Sequence, residues 1–273
     1  MHFKNWFTIL EYNKTIRSWL EMSSLRDLLK DIPQGAIFHP EGPVFKHSRM
    51  VRQSLDSAIK IFEQEPLFVD LLPVSNEDRN ILRVAAWLHD AGKSSATTWK
   101  SPFGEVLPWK DVKHPEGGKW SSVGHEEPEH YEPVLKQLGE PWQGMNHRAS
   151  AEDRDLVMFL IQKHMGYVGD SASRWFLRMI MDDHGNIRSD RKVKLLIIFK
   201  MMDLIGRDTV MLQDAYAFLD VIKKAVVHNR AYWDKEEEKR SPISKKDFIR
   251  KLEDKGLSNA QIRVAVKGKF NEE

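Results

Sequence analysis

The sequence predicts an all-α fold: a helical bundle that carries an insertion rich in Trp, Pro and Gly and ends in a small helical C-terminal tail. Two observations lead to this fold class. Apolar residues recur at spacings of three and four along most of the chain, which is the period of an amphipathic helix. Strand signals are scarce, and they occur only in short pieces between residues 97 and 123.

The first predicted helix covers residues 14–30. Its apolar stripe consists of Ile16, Leu20, Leu25, Leu28 and Leu29. The stretch "IPQGAIFHPEGP" then interrupts the pattern with two Pro-Gly clusters and is predicted to be a loop. A second helix is predicted from His47 to about Gln64, and Pro66 ends it. Its stripe consists of Val51, Leu55, Ile59 and Phe62.

A capping box marks the start of the next helix. The stretch "SNED" at Ser75–Asp78 places a serine three residues before an acidic residue, and the helix that follows carries His89. Gly92 is placed to end this helix. Further helices are predicted at residues 128–139, 151–165, 171–183, 191–206 and 209–229.

The stretch at residues 97–123 is long for a loop, so it either holds a hairpin or forms a functional lid. Near the other end of the chain, the charge run "DKEEEKR" at Asp234–Arg240 is a candidate boundary before a short basic tail with two small helices. The predicted organisation is an N-terminal helical segment at 1–38, a core domain at 39–233 and a basic helical tail at 241–273.

Composition limits the class of protein. The 273 residues are 41% apolar and 30% charged, which is typical of a globular protein with a sizeable core. No apolar run is long enough to span a membrane, and no signal peptide is predicted. The absence of cysteine excludes disulfides and thiolate metal sites and fits a cytoplasmic location. The formal charge of +2 is too small to indicate a nucleic-acid partner by itself.

Several ionisable residues fall on the buried sides of predicted helices. His47 lies on the apolar stripe of its helix, and His164 and Asp203 each lie four residues after an apolar position of theirs. With His89 and Asp90, these groups come from four helices and are predicted to face a common interior. Buried His and Asp clusters are most often compensated by a metal ion. Imidazoles and carboxylates without sulfur suit Mn, Fe, Co, Ni or Zn.

The order of these residues resembles the HD phosphohydrolase superfamily, whose members are metal-dependent enzymes built as all-helical bundles. The series in this chain is His47, His89, Asp90, His125 of "GHEE", His164 and Asp203. This order resembles the binuclear subgroup, in which two metals share the aspartate of the HD pair. The resemblance implies that residues 39–233 form an HD phosphohydrolase core.

Among relatives, the local resemblance is closest to the HD portion of bacterial CCA-adding tRNA nucleotidyltransferases. The stretches "HPEGPVFKHSRMV", "WLHDAGK", "GHEE" and "DLIGRD" all look like parts of it, over residues 39–208. Nothing upstream resembles the glycine-rich motif for nucleotidyl transfer, and residues 1–38 are too few to hold that catalytic domain. CCA addition is therefore not implied for this chain.

The resemblance and the spacing together imply roles for individual residues. The metal ligands are predicted to be His47, His89, Asp90, His125, His164 and Asp203, with two metal ions per chain. Asp90 and Lys93 are predicted to be catalytic, and Lys93 and Arg207 to bind the substrate. Three alternatives stay open. His130 is the alternative to His125, and a single metal ion, with His125 and His164 only as polar residues near the pocket, is the alternative to two. Lys93 has the alternative of a surface position at a helix C-terminus, where the helix dipole favours a cation.

Such a site implies hydrolysis of phosphate esters, as a phosphomonoesterase or a phosphodiesterase. The implied substrate is a nucleotide or nucleic-acid phosphate, such as a 2',3'-cyclic phosphate or an RNA-end phosphate, and the basic tail can hold an RNA or DNA backbone. Trp99, Trp109 and Trp120 are expected in the core, with stacking on a base as the alternative. The other open functions are a metal-dependent HD nuclease, a nucleoside triphosphate hydrolase and a nucleotide-sensing module.

Overall fold

A computed structural model describes residues 24–35, 39–138, 150–165, 176–207 and 211–240. The chain divides into two compact units, Met1–Val226 and Val227–Glu273. The described part of the second unit, residues 227–240, is helical throughout. The structure is mostly helical, so the predicted all-α class is confirmed. The predictions for residues 1–23 and for the tail at 241–273 lie outside the described residues.

The helices of the described residues are α1 (Val44–Gln53), α2 (Leu55–Gln64), α3 (Asn76–Leu88), α4 (Lys93–Ala96), α5 (Pro128–Gln137), α6 (Ala151–Lys163), α7 (Arg191–Ile205) and α8 (Met211–Arg240). Residues 24–29 and 176–180 are also helical, and Pro66–Leu71 and Trp109–Asp111 form 3-10 turns. Helix α8 continues through the charge run that was predicted to be a boundary. Among the described residues, none of these helices is both long and apolar enough to cross a membrane.

The single helix predicted from His47 to about Gln64 is wrong, because the chain forms two helices that meet at Ser54. The Ser54 hydroxyl lies 2.7 Å from the carbonyl oxygen of Val51 and 2.9 Å from that of Met202 in α7. A serine that bonds backbone carbonyls in this way interrupts a helix. The break turns α1 and α2 against α7 while the predicted apolar stripe stays buried.

Helix α7 is the centre of the first unit. It contacts α1, α2, α3 and α6, and its residues from Leu195 to Ile205 are all buried. A helix that is apolar on all sides is stable only inside a protein. The buried run contains two charged residues, Lys200 and Asp203, with 1% and 3% of their surfaces exposed. Both belong to the site described below.

Helix α3 begins with the predicted capping box, which is confirmed: the Ser75 side chain accepts from Asp78 N and the Asp78 side chain accepts from Ser75 N. The prediction that Gly92 ends helix α3 as a C-terminal glycine is wrong. Gly92 has a φ of −63°, an ordinary right-handed value, so it supplies no left-handed helix end. A Cβ at this position would overlap the backbone carbonyl oxygen of His125. Glycine is therefore needed there for close approach of two backbones.

The insertion holds the predicted hairpin and one strand more. Strands β1 (Thr98–Lys100), β2 (Val106–Pro108) and β3 (Lys119–Ser121) form an antiparallel sheet in the order β2-β1-β3. Trp99 pairs with Leu107 on one side and with Trp120 on the other. Alternation along the strands places these three on one face and Lys100 and Lys119 on the opposite face.

We expect Asp78→Asn to destabilise the fold by about 3 kcal/mol at pH 7. Asp78 is buried and accepts hydrogen bonds from Lys194 and Arg191 of α7, at 2.6 Å and 2.8 Å. Burial acts to raise the pKa of Asp78, but these two cations lower it below its ordinary value. The stability that Asp78 provides is therefore present above about pH 4 and is lost as the pH falls further.

Urea unfolding at pH 7 and pH 3 checks this prediction. The difference between Asp78→Asn and the unmodified chain should shrink at pH 3. Asp70→Asn, at an exposed position, is the matched control and should change little at either pH. An equal loss for Asp78→Asn at both pH values would contradict the assigned ion pairs.

Candidate metal centre

The structure brings all six predicted ligands into one buried cluster. His47 lies on α1, His89 and Asp90 directly follow α3, and Asp203 lies on α7. His125 lies in a turn before α5, and His164 is the C-terminal cap of α6. None of the six has more than 3% of its surface exposed.

The first group of potential metal ligands consists of Asp90 Oδ2, Asp203 Oδ1 and the Nε2 atoms of His47 and His89. His89 Nε2 lies 3.5 Å from Asp90 Oδ2 and 4.0 Å from Asp203 Oδ1. His47 Nε2 lies 3.2 Å from Asp203 Oδ1 and 3.9 Å from Asp90 Oδ2. Four donors held about 2.1 Å from a tetrahedral metal ion lie about 3.4 Å from one another, so these spacings fit such an ion.

The second group surrounds the other oxygen of Asp90. His125 Nε2 lies 3.0 Å and His164 Nε2 lies 3.6 Å from Asp90 Oδ1. The two imidazole nitrogens lie 3.1 Å from each other. Asp90 therefore presents Oδ2 to His47 and His89 and Oδ1 to His125 and His164. One carboxylate lies between two groups of potential ligands.

Backbone carbonyls fix the orientation of three of the imidazoles. The Nδ1 atoms of His89, His125 and His164 lie 3.0, 2.7 and 2.7 Å from the carbonyl oxygens of Ala86, Ser122 and Ile161. Since a carbonyl can only accept, each Nδ1 carries the proton and each Nε2 turns a lone pair toward the cluster. His89 Nε2 is buried and has no hydrogen-bond partner. A cation placed between such converging lone pairs would satisfy them.

The pKa values of the cluster indicate which forms the site favours. Burial lowers the pKa of His89 to about 3, so His89 is a neutral imidazole at physiological pH. Burial acts to raise the pKa of Asp90, but the Lys93 ammonium, 2.8 Å from its Oδ2, holds this pKa well below its usual range. Neutral imidazole and ionised carboxylate are the forms that bind metals. The buried groups can therefore hold a metal ion.

A cavity of about 300 Å³ opens onto this cluster. Asp90, Asp203 and three of the predicted histidine ligands line it, while His89 lies behind them. Trp120 lines the cavity as well, whereas Trp99 is buried and Trp109 donates to Ser94 O. His130, the alternative to His125, lies outside the cavity with its Nδ1 3.0 Å from Ser95 Oγ.

Comparison with protein-family models, with curated proteins and with solved structures finds no match. The resemblance to the HD superfamily therefore stays a prediction. The ligand geometry of this chain carries the functional conclusion.

Lys93 is buried beside the cluster instead of lying on the surface. Its Nζ lies 2.8 Å from Asp90 Oδ2 and 2.6 Å from Gln34 Oε1, and it lines the cavity. Lys93 opens the short helix α4, directly after the turn that carries Asp90. The alternative of a surface lysine at a helix C-terminus is wrong, because only 6% of Lys93 is exposed.

Two cations flank the far oxygen of Asp203. Lys200 Nζ lies 3.2 Å and Arg207 Nη2 lies 3.3 Å from Asp203 Oδ2. Lys200 also donates to the carbonyl oxygen of His164 at 2.9 Å, so it connects the two ligand groups. The sequence patterns did not single out Lys200, although a lysine inside an apolar helix and three residues before a buried aspartate was a usable signal.

A carboxylate behind His47 was also missed. Glu41 Oε1 lies 2.7 Å from His47 Nδ1 and 2.9 Å from His39 Nδ1. Burial acts to lower the pKa of His47, but contacts with Asp203 and Glu41 raise it above its ordinary value. The surroundings of His47 therefore favour a positive charge, and either a proton or a metal ion can supply it. His39, which lies in the same loop as Glu41, lines the cavity.

We expect Glu41→Gln to weaken metal binding by roughly 10–100-fold, because carboxylates behind ligand histidines orient the ring and raise its basicity. Equilibrium dialysis against Mn²⁺ or Zn²⁺ measures the affinity directly. Glu129→Gln, at an exposed position on α5, is the matched control. An unchanged affinity for Glu41→Gln would show that Glu41 does not support His47.

Proposed function

We propose that the chain is a metal-dependent phosphohydrolase. The reaction is hydrolysis of a phosphomonoester or phosphodiester in a nucleotide or nucleic acid, including a 2',3'-cyclic phosphate or an RNA-end phosphate. The observation that carries the proposal is the placement of Asp90, whose two oxygens each face a separate pair of histidines. A carboxylate so placed can bridge two divalent ions, a pairing that serves hydrolytic displacement at phosphorus.

Two metal ions per chain are proposed, chosen from Mn, Fe, Co, Ni and Zn. His47, His89 and Asp90 would hold one, with Asp203 Oδ1 as a further ligand because it lies 3.2 Å from His47 Nε2 and 4.0 Å from His89 Nε2. His125, His164 and Asp90 would hold the other. When bound, such ions lower the pKa of water toward neutrality and withdraw charge from phosphoryl oxygens. The second group has fewer protein ligands than the first, which leaves more room for substrate.

The positive side chains around the cavity give the chain its own means of holding a phosphoryl group. Lys93 lies beside Asp90, and Arg207 lies at the cavity wall with its Nε lacking a hydrogen-bond partner. Both can donate to anionic oxygens, and their charge stabilises the negative charge that shifts to the leaving oxygen. The fixed contacts of Lys93 to Gln34 and of Arg207 to Asp203 keep these donors in place.

The cavity also supports a nucleotide as the substrate class. Its volume of about 300 Å³ is at the lower end of the range for small-molecule sites, so a terminal nucleotide fits better than a duplex. Trp120 offers a ring for stacking, and Ser121 and Ser122 line the same wall with hydroxyl groups. Base stacking on an aromatic ring is tolerant of sequence.

A substrate panel tests the proposal. The full chain is incubated with Mn²⁺, Co²⁺ or Ni²⁺ and with nucleoside monophosphates and triphosphates, 2',3'-cyclic nucleotides, and single-stranded RNA and DNA. Release of phosphate or opening of the cyclic ester, abolished by a chelator, is the expected result. Internal cleavage of the polymers would favour the nuclease. No turnover with any substrate, despite tight nucleotide binding, would favour the sensing module and contradict the proposal.

A further inference from the structure

The exposed face of the small sheet carries charges that nothing in the described structure neutralises. Lys100 and Lys119 are directly opposite each other on β1 and β3, and both are exposed. Directly opposed like charges destabilise a sheet, since their Cβ atoms lie only about 5 Å apart. Among the residues that the structure describes, neither lysine has an acidic partner within 4.0 Å. The pair therefore costs stability unless an anion lies between the two ammonium groups.

The two lysines line a shallow surface pocket. Its volume is about 240 Å³, and its other walls are Ser101, Pro102 and Gly117. The acidic residues of the insertion are Glu105, Asp111 and Glu116, and none of them lines this pocket. The local chemistry suits a phosphate group, which two lysines can contact together.

Exposed apolar groups lie on the same hairpin as Lys100. Val106 pairs with Lys100 across β1 and β2, on the same face, and 57% of its surface is exposed. Phe103 lies in the turn between these strands with 97% of its surface exposed. A surface that carries both an exposed aromatic ring and cations is the combination with which proteins bind single-stranded nucleic acid, because bases stack on the ring while lysines hold phosphates.

The lysine-bearing face leads to the metal cavity. Ser121 follows Lys119 by two residues in β3, so it lies on the same face about 7 Å further along. Ser121 also lines the cavity into which Asp90, His125 and His164 face. A strand lying on this face can therefore reach the cavity with its end.

We propose that the exposed face of the sheet binds single-stranded nucleic acid and leads a terminal phosphate to the metal centre. The binding surface consists of Lys100, Phe103, Val106 and Lys119. The part of this inference that concerns the terminal phosphate rests on the proposed phosphohydrolase function, whereas binding by the sheet face stands by itself. It assigns the nucleic-acid contact to the insertion, in addition to the basic tail.

Fluorescence anisotropy tests the binding surface with the full chain in EDTA, so that the measurement needs neither metal nor turnover. The probes are labelled single strands of RNA and of DNA and a DNA duplex. We expect Lys100→Glu with Lys119→Glu to weaken single-strand binding at least about tenfold. We also expect it to reduce the slope of log K against log salt by about 1.4, since each phosphate contact contributes about 0.7. Phe103→Ala should weaken binding about tenfold and leave the salt slope unchanged.

Matched controls separate this surface from general charge effects. Lys60→Glu with Lys136→Glu changes the net charge equally at exposed positions on α2 and α5 and should alter affinity by no more than about twofold. Hydrolysis of a small phosphate monoester by the Lys100→Glu, Lys119→Glu chain should match that of the unmodified chain.

Three outcomes would overturn the proposal. The first is that the sheet variants bind the single strands as tightly as the unmodified chain does. The second is that the chain binds the duplex more tightly than single strands. The third is that polyglutamate competes for the probe as strongly as RNA does. Failure of the phosphohydrolase proposal has a different signature. In that case no substrate is turned over, while the sheet variants still lose single-strand binding in EDTA.

Discussion

Asp90→Ala is expected to abolish metal binding and to lower turnover by on the order of 10³-fold or more, while the helical circular-dichroism signal stays largely intact. Asp90 has a carboxylate oxygen within 4.0 Å of each of the four histidine Nε2 atoms. Its removal takes one ligand from each predicted metal and leaves both groups without their shared carboxylate. Because Asp90 follows α3 and does not lie within it, the helix itself should persist.

Two further variants sharpen this experiment. Asp90→Asn keeps the shape of the side chain but replaces one carboxylate oxygen with an amide nitrogen, which has no lone pair available to bind a metal. It should be as inactive as Asp90→Ala. Asp155→Ala, at an exposed position on α6, is the matched control and should keep full activity. Normal turnover by Asp90→Ala would show that the catalytic assignment is wrong.

Gly92→Ala is expected to remove one metal and to keep the other. A Cβ at Gly92 would overlap the carbonyl oxygen of His125, so the turn that carries His125 must move. His47, His89 and Asp203 lie on other elements and should stay in place. Displacing a ligand by about 1 Å can lower the rate about 100-fold, and we expect a loss of this size. Metal content measured by elemental analysis should fall from two to one per chain.

The control for Gly92→Ala is a glycine with space around it. A Cβ at Gly35 would meet nothing closer than 3.7 Å, so Gly35→Ala should bind two metals. If Gly92→Ala unfolds, the helical circular-dichroism signal is lost. If it loses only the second metal, this signal is kept, so the two outcomes can be distinguished. Two metals and full turnover in Gly92→Ala would contradict the placement of His125 in the site.

Helical periodicity was sufficient to predict the inward direction of His47, His164 and Asp203. His47 and Asp203 lie within regular helices and His164 directly follows one, so an apolar stripe identifies the buried side at all three positions. His125 lies in a turn, where no period exists, and only the order of residues in the chain pointed to it. The structure places His125 within 3.1 Å of His164 and leaves His130 outside the cavity.

Other parts of the site had no local signal. His39 and Glu41 lie in a Pro-Gly loop, whose conformation depends on the elements that it packs against, so neither residue could be placed from sequence. The break at Ser54 depends on a carbonyl of Met202, which is 148 residues away. The sequence pattern around Gly92 indicated a helix end. The actual reason for glycine is the close approach of the His125 backbone, which is a contact between distant segments. Long-range contacts of this kind are invisible to short sequence patterns.

The number of metals per chain shows whether Asp90 lies between two ions. The full chain is loaded with Mn²⁺ or Zn²⁺, dialysed, and analysed for metal and protein content, together with His125→Ala and His47→Ala chains. We predict two ions for the unmodified chain and one for each variant, because each substitution removes a ligand from a different group. One ion or none in the unmodified chain would contradict the claim that Asp90 lies between two metals.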